Sequence, residues 1–459
     1  NLKCFKYLKR NKYGTALKNY LAVKMSDWDF ELLKKWDDKI CDLASSYNLD
    51  WFPIIYETCD YYEMIGNMTY HGMPTYYDHW SFGKSFERTH QLYNSGMQGL
   101  PYELIINSNP SIAYLMLENP AYLQILIMAH CVGHSDFFKN NTTFKHTSPN
   151  TVVSKFKNYK KRIQKYQEDP SIDSDRLEEI VDSCHALQFQ NYSTYKKRIS
   201  HKELRRQYIE KIKKDKTDKY KNFDLSKVPL EYDYDLLGFI VEHSPSLEEW
   251  EKDIISIVRE HAMYFIPQMR TKIMNEGWAS YWHYRILNEL KLPEKYHLPF
   301  LKSHNQVVAP HVGQINPYYL GFYMFKHIEK LYGLEECFIA RSSMNDESFI
   351  RQYLDIEICR DLNLFTYAKF DESYKVIDVS DEKGWQRVKK HLIKNIGINS
   401  MPKIYVENVN PSKRLYLAHE FDGRELELSY AQKTLDHART LWAEGVELKT
   451  MNNKKIMRL

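Results

Sequence analysis

The sequence predicts a mainly helical amino-terminal domain followed by a small α+β domain, and three observations carry that prediction. Apolar residues recur at three- and four-residue spacing in the amino-terminal part, most plainly in DWDFELLKKWDDKICDLASSYNL at residues 27–49. Near Ser343 the pattern changes to short runs, DLNLFTYAKF, YKVIDVS, KIYVENV and RLYLAHEF, which read as strands separated by turn residues. Helical periodicity returns between them in WQRVKKHLIKNI and YAQKTLDHARTLWAEG. The chain has 459 residues, whereas single cores stop growing near about 250–300. The division expected is therefore 25–342 for the helical domain and 343–459 for the α+β domain.

The elements follow in order. Residues 1–24 (ending KYLKRNKYGTALKNYLAVK) form a basic extension without a continuous apolar stretch, so no secretory signal is expected, and Met25 is an alternative start. Residues 70–86, YHGMPTYYDHWSFGKSF, are aromatic, broken by Gly and Pro and without period, which predicts a packed irregular loop. Pro110 and Pro120 bracket SIAYLMLEN, and a second apolar helix then runs into His130 and His134. Residues 153–225 are dense in Lys and Arg, but acidic residues are interleaved and no stacking pattern accompanies them. They read as solvated helix faces with a connector at 190–225, and the segment between, LEEIVDSCHALQ at 177–188, as an amphipathic helix. Pro245 and Ser246 open a helix with Glu248 and Glu249 in its first turn, where negative charge suits the helix dipole, continuing to Pro267. A further helix is expected over 272–290.

Composition narrows the function classes. The 43% hydrophobic, 27% charged and 14% aromatic fractions, with 36 Tyr, are those of a packed globular protein. A net charge of +4 spread over this length calls for neither nucleic acid nor a membrane surface as partner. The longest apolar run, around 123–129, is far short of the roughly 20 residues of a spanning helix. Seven scattered cysteines without a C-x-x-C suggest free thiols and a cytoplasmic location. There is no P-loop, no G-x-G-x-x-G and no internal repeat.

One constellation has the makings of chemistry. His130 and His134 in MAHCVGHSDFF are four apart, so on a helix both imidazoles face one way and can share a divalent metal, with zinc the ion expected. In MNEGWASYWHYRIL, Glu276 and His283 are seven apart, nearly two turns, and again share a face. Two helices would then supply His130, His134 and Glu276 to one ion; the alternative is that these are buried polar residues packing two helices. The pattern resembles the gluzincin metallopeptidases, whose first helix bears two His four apart and whose second bears a Glu ligand, with E-G-W-A at 276–279 as a shared context. It departs from them after the first His: the catalytic Glu of H-E-x-x-H is replaced by Cys131. Cys131 is thus either a substitute catalytic group or a small buried hydrophobe, and His283 either a catalytic partner or a packing residue. Asp136 and His185 are candidates for orienting a ligand from behind, with helix capping and packing as their alternatives.

Longer motifs extend the match. YHGMPTYYDHWSFGKSFE, LPYELIINSNPSIAYLMLEN, MAHCVGHSDFFKNN, DSCHALQ, TKIMNEGWASYWHYRIL and NPYYLGF, in this order, resemble the stage V sporulation protein R (SpoVR) family of bacteria. The tail, SFIRQYLDIEICRDLNLF and YLAHEFDGRELELSYAQKTL, is similar to that family's carboxy-terminal region. The resemblance implies a cytosolic protein that takes part, in spore formers, in making the spore cortex. It leaves two functions open. One is a metal-dependent hydrolase or amide-bond-altering enzyme acting on a peptide-like substrate. The other is a non-catalytic regulator or scaffold acting through a protein partner.

Overall fold

The computed structural model describes residues 27–94, 103–191, 206, 209–210, 234–311, 315–370 and 373–459. The expected basic extension, and most of the connector at 190–225, lie outside these residues. In chain order the elements begin with α1 (Phe30–Ser46), whose Asp29 carboxylate caps the helix by accepting from the Leu32 amide. Strand β1 (Ile54–Cys59), helix α2 (Tyr61–Thr69), helix α3 (Trp80–Asn94), strand β2 (Leu104–Ile106) and strand β3 (Ser111–Met116) follow. Next come α4 (Ala121–Asn140), α5 (Val152–Gln167), α6 (Ser174–Leu187), α7 (Leu236–His243), α8 (Glu249–Arg270) and α9 (Lys272–Glu289). Then α10 (Glu294–Val307), α11 (Pro317–Tyr332), α12 (Leu334–Ser343), α13 (Asp346–Tyr353) and α14 (Ile356–Asp361) precede the hairpin β4 (Thr366–Phe370) and β5 (Ser373–Asp378). The chain ends with α15 (Trp385–Asn395), β6 (Ile404–Val409), β7 (Leu415–His419), α16 (Leu428–Trp442), β8 (Val446–Asn452) and β9 (Lys455–Arg458).

The elements fall into two compact units. The first contains the described residues up to Lys161 together with Pro267–Asn399. Its centre is α4, buried on nearly every side, as expected of a helix apolar all round. Helices α1, α9 and α10 pack against α4, and α11 packs against α9. A three-stranded sheet of order β1-β3-β2, parallel between β1 and β3 and antiparallel between β2 and β3, lies beside α4. The Ser111 and Ser135 hydroxyls, 3.1 Å apart, tie β3 to α4. The second unit, Arg162–Ile266 with Ser400–Leu459, is the α+β part. Its four-stranded sheet has the order β6-β7-β8-β9, with α16 as the crossover between the parallel strands β7 and β8. Helix α6 packs on α16, and the Trp442 indole N–H donates to the Lys413 carbonyl.

The fold class matches the prediction, with four local differences. Residues 343–399 do not begin a new unit: Phe349, Ile350, Val388 and Leu392 join the same core as α4 and α9. The expected break at Ser343 marked a change of secondary structure, which a shared core can span. Only residues 70–79 of the aromatic stretch are irregular, because α3 starts at Trp80, where His79 Nδ1 accepts from the Ser81 amide. The segment between Pro110 and Pro120 contains strand β3, and β1 precedes it; both are too short to leave a clear period. Helix α8 continues past Pro267 to Arg270, where the Thr271 hydroxyl donates to the Pro267 carbonyl. Among the described residues no helix is long and apolar enough to cross a membrane, and no disulfide joins the six described cysteines to one another.

Candidate metal centre

The site is made possible by two close helix contacts. A Cβ on Gly133 of α4 would lie 2.7 Å from Ala279 Cα of α9, and one on Gly277 would lie 2.4 Å from the backbone of Gly321 on α11. Only glycine allows backbones this near. Each residue of E-G-W-A therefore has a distinct task. Glu276 points into the site, Gly277 admits α11, the Trp278 indole donates to Asp136 Oδ2 at 2.8 Å, and Ala279 meets Gly133.

Among the described residues, Glu103, His130, His134 and Glu276 form a group able to hold one metal ion, with their donor atoms all within 4.8 Å of one another. Glu276 Oε2 lies 3.4 Å from His134 Nε2 and 3.9 Å from His130 Nε2. Glu103 Oε1 lies 3.4 Å from His130 Nε2. Both imidazoles are buried, at 1% and 4% exposure, and His130 Nε2 and Glu276 Oε2 have no hydrogen-bond partner.

The far sides of the imidazoles are anchored. His134 Nδ1 is 2.9 Å from Asn275 Oδ1; an amide oxygen only accepts, so His134 donates from Nδ1 and leaves the lone pair of Nε2 facing the carboxylates. His130 Nδ1 is 2.8 Å from His283 Nδ1, and His283 Nε2 is 2.8 Å from His304 Nδ1 on α10. With His130 donating from Nδ1, the hydrogen bonds run in one direction from His130 through His283 to His304, and His130 Nε2 likewise faces inward. The Tyr318 hydroxyl, at the start of α11, donates to Glu103 Oε1 at 3.2 Å, and its ring stacks on His130.

Charge is concentrated here. Burial opposes protonation of His130, but Glu103 and Glu276 outweigh it and lift the imidazole to about 9. Burial alone would raise Glu276, yet the close approach of the His130 and His134 imidazoles holds it well below the usual carboxylate range. Glu103 is also lowered, His130 outweighing its desolvation. Desolvation and the neighbouring imidazoles push His283 far down, so it is neutral.

His130, His134 and Glu276 thus converge as the spacing suggested, with His283 directly behind His130. Asp136 does not orient an imidazole. Its Oδ1 accepts from the Asp50 amide at 2.8 Å, its Oδ2 accepts from Trp278, and Arg341 Nε is 3.4 Å away. Burial pushes its carboxyl up to about 6 against the pull of Arg341. Cys131, one residue round the helix from His130, lies wholly in the apolar core, and desolvation raises its thiol well above the ordinary value. That removes the thiolate a catalytic role needs. His185 belongs to the second unit, where it adds to the desolvation by burial that lowers the pKa of His261. Glu103, Asn275, His304 and Tyr318 carried no periodic signal; Glu103, Asn275 and Tyr318 stood only inside the longer motifs LPYELIIN, TKIMNEGW and NPYYLGF.

Comparison with known proteins agrees with the long motifs. The family described as SpoVR like protein matches residues 27–401, and the SpoVR-like C-terminal domain matches 402–453. A relative from Escherichia coli (strain K12), called uncharacterized protein YcgB, is 34% identical over 481 residues, spanning 93% of each chain. No solved structure matches.

Proposed function

Because the chain belongs to the SpoVR family, whose membership points to a sporulation-related role, we propose that it is a metal-dependent enzyme. In this reading His130, His134 and Glu276 bind a divalent cation, and the enzyme opens an amide bond in a peptide-like substrate during cortex formation in the cytoplasm.

The observation that carries the reading is the pair of buried, unpartnered atoms, His130 Nε2 and Glu276 Oε2, aimed at one point with His134 Nε2. Buried polar atoms are normally satisfied, so an ion is the simplest partner for both. Two ligand atoms about 2.1 Å from one ion at a tetrahedral angle stand about 3.4 Å apart. The separations of 3.4 and 3.9 Å are close to that spacing. The donor set, two imidazoles and carboxylate without thiolate, suits zinc, and also manganese or iron. A bound ion would activate water and polarise a carbonyl. The direct test is to incubate the zinc-loaded protein with peptide fragments of peptidoglycan and follow the products by mass spectrometry. Cleavage with the gain of one water supports the reading. Intact fragments alongside a fully loaded protein argue for a scaffold.

A further inference from the structure

The helix that carries both histidines lacks the carboxylate that would take a proton from water, and Cys131 cannot replace it from within the core. We propose that Glu103, delivered from the segment before β2, is that proton acceptor, and that Tyr318 positions it. The inference rests on the metal-dependent reading above.

Two asymmetries separate Glu103 from the ligands. Glu276 Oε2 lies near both imidazoles, at 3.4 and 3.9 Å, whereas among the described residues Glu103 makes an ion-pair approach to His130 alone. The Tyr318 hydroxyl lies beside both carboxylates, but the hydrogen bond it makes, at 3.2 Å, goes to Glu103 Oε1, whereas Glu276 Oε2 accepts none. Glu276 is therefore the shared ligand, and Glu103 a carboxylate oriented beside it. Catalytic zinc sites use three protein ligands and leave a fourth position open for water. His130, His134 and Glu276 supply three, and Glu103 belongs to the same group, its nearest donor being His130 Nε2 at 3.4 Å.

The chemistry balances without another reactant. Glu103 takes one proton from water as the water oxygen bonds to the amide carbon and the carbonyl π pair moves to oxygen. That pair returns as the C–N bond breaks, and the proton passes from Glu103 to the leaving nitrogen, giving a carboxylic acid and an amine. Tyr318 touches Glu103 rather than the substrate. Its hydroxyl remains protonated, because burial and the two carboxylates raise its pKa well above the ordinary value.

The test uses the full chain, zinc, and acetohydroxamic acid, a small chelator that must give up a proton to a neighbouring base when it binds. Glu103→Gln should keep zinc affinity within about threefold of wild type, while Glu276→Gln loses about 100-fold. The zinc-loaded Glu103→Gln protein should bind acetohydroxamic acid at least about tenfold more weakly than wild type, with Tyr318→Phe showing a smaller loss. Glu103→Asp should recover part of the affinity. If Glu103→Gln loses zinc as Glu276→Gln does, Glu103 is a ligand and the proposal is overturned. Undiminished acetohydroxamate binding by Glu103→Gln, or none by the wild type, overturns it equally. A wild-type protein that takes up no zinc, manganese or iron instead defeats the underlying metal reading.

Discussion

His130 and His283 face each other through their Nδ1 atoms at 2.8 Å, so one helix decides which nitrogen of the other helix's histidine faces the carboxylates. Asn275 does the same for His134. Partners of this kind fix the tautomer and ring orientation of a ligand, and their loss typically costs about 10–100-fold in metal affinity. His283→Ala and Asn275→Ala should each weaken zinc binding within that range, measured by competition with a chromophoric chelator. An affinity equal to wild type in both would show that the histidine chain has only a packing role.

Metal binding should release protons. The Glu103 and Glu276 carboxylates lift His130 to about 9, so without metal it is charged at neutral pH and must lose its proton to become a ligand. The sign follows: affinity rises as pH increases towards about 9 and falls as it decreases. Calorimetry in buffers of different ionisation enthalpy at neutral pH should find about one proton released from this group per ion bound. No release at neutral pH would contradict the assignment of His130.

The glycine contact between α9 and α11 predicts an unequal pair of substitutions. Gly277→Ala forces a Cβ to 2.4 Å from Gly321 backbone atoms, which can yield only by moving a helix. A loss of about 2–4 kcal/mol is expected in chemical denaturation. Gly66→Ala, in α2, meets no atom within 4 Å and should be neutral or stabilising by up to about 1 kcal/mol. Equal effects would mean that the α9–α11 approach is looser than described.

Asp346 should give stability a pH dependence. It is buried while capping α9, accepting from the Ile273 and Met274 amides at 2.9 Å, and desolvation outweighs those bonds to raise its carboxyl to about 7. The ordinary value is about 3.9, so the folded state favours the protonated form. That contribution is complete below about pH 4 and is lost as pH rises through about 7. The stability of wild type relative to Asp346→Asn should therefore decrease across this interval in urea denaturation. A flat or rising difference would contradict the assignment.

If the protein works in a reducing cytoplasm, all seven cysteines should be free. Thiol titration after non-reducing denaturation is expected to find seven, and recovery of four or fewer would refute that location.

The sequence exposed those parts of the site that obey a period. His130 and His134 on α4, and Glu276 and His283 on α9, are helical neighbours, so spacing alone placed each pair on one face. Glu103 and Tyr318 come from a loop and a helix start more than 200 residues apart, and only the tertiary fold joins them, through a hydrogen bond with |i−j| of 215. Asp136 looked like a neighbour of His134, but a two-residue step on a helix turns it away, towards Trp278 and Arg341. Strands β1 and β3 stayed hidden for a related reason. Each is only six residues long, and runs such as IIYETC and SIAYLM break their alternation within that length, so no clean period survives in the sequence.

Three residues from two helices should hold one ion, and the metal content of the purified chain decides whether they do. Protein purified without an affinity tag and analysed by inductively coupled plasma mass spectrometry should carry close to one zinc, manganese or iron per chain. His134→Ala should lose that metal while keeping wild-type helical content by circular dichroism, and its thermal midpoint should fall to that of the metal-free wild type. A wild-type chain that is folded, metal-free and unable to take up any of the three ions when they are supplied would rule out the metal centre and leave His130, His134 and Glu276 as polar packing between two helices.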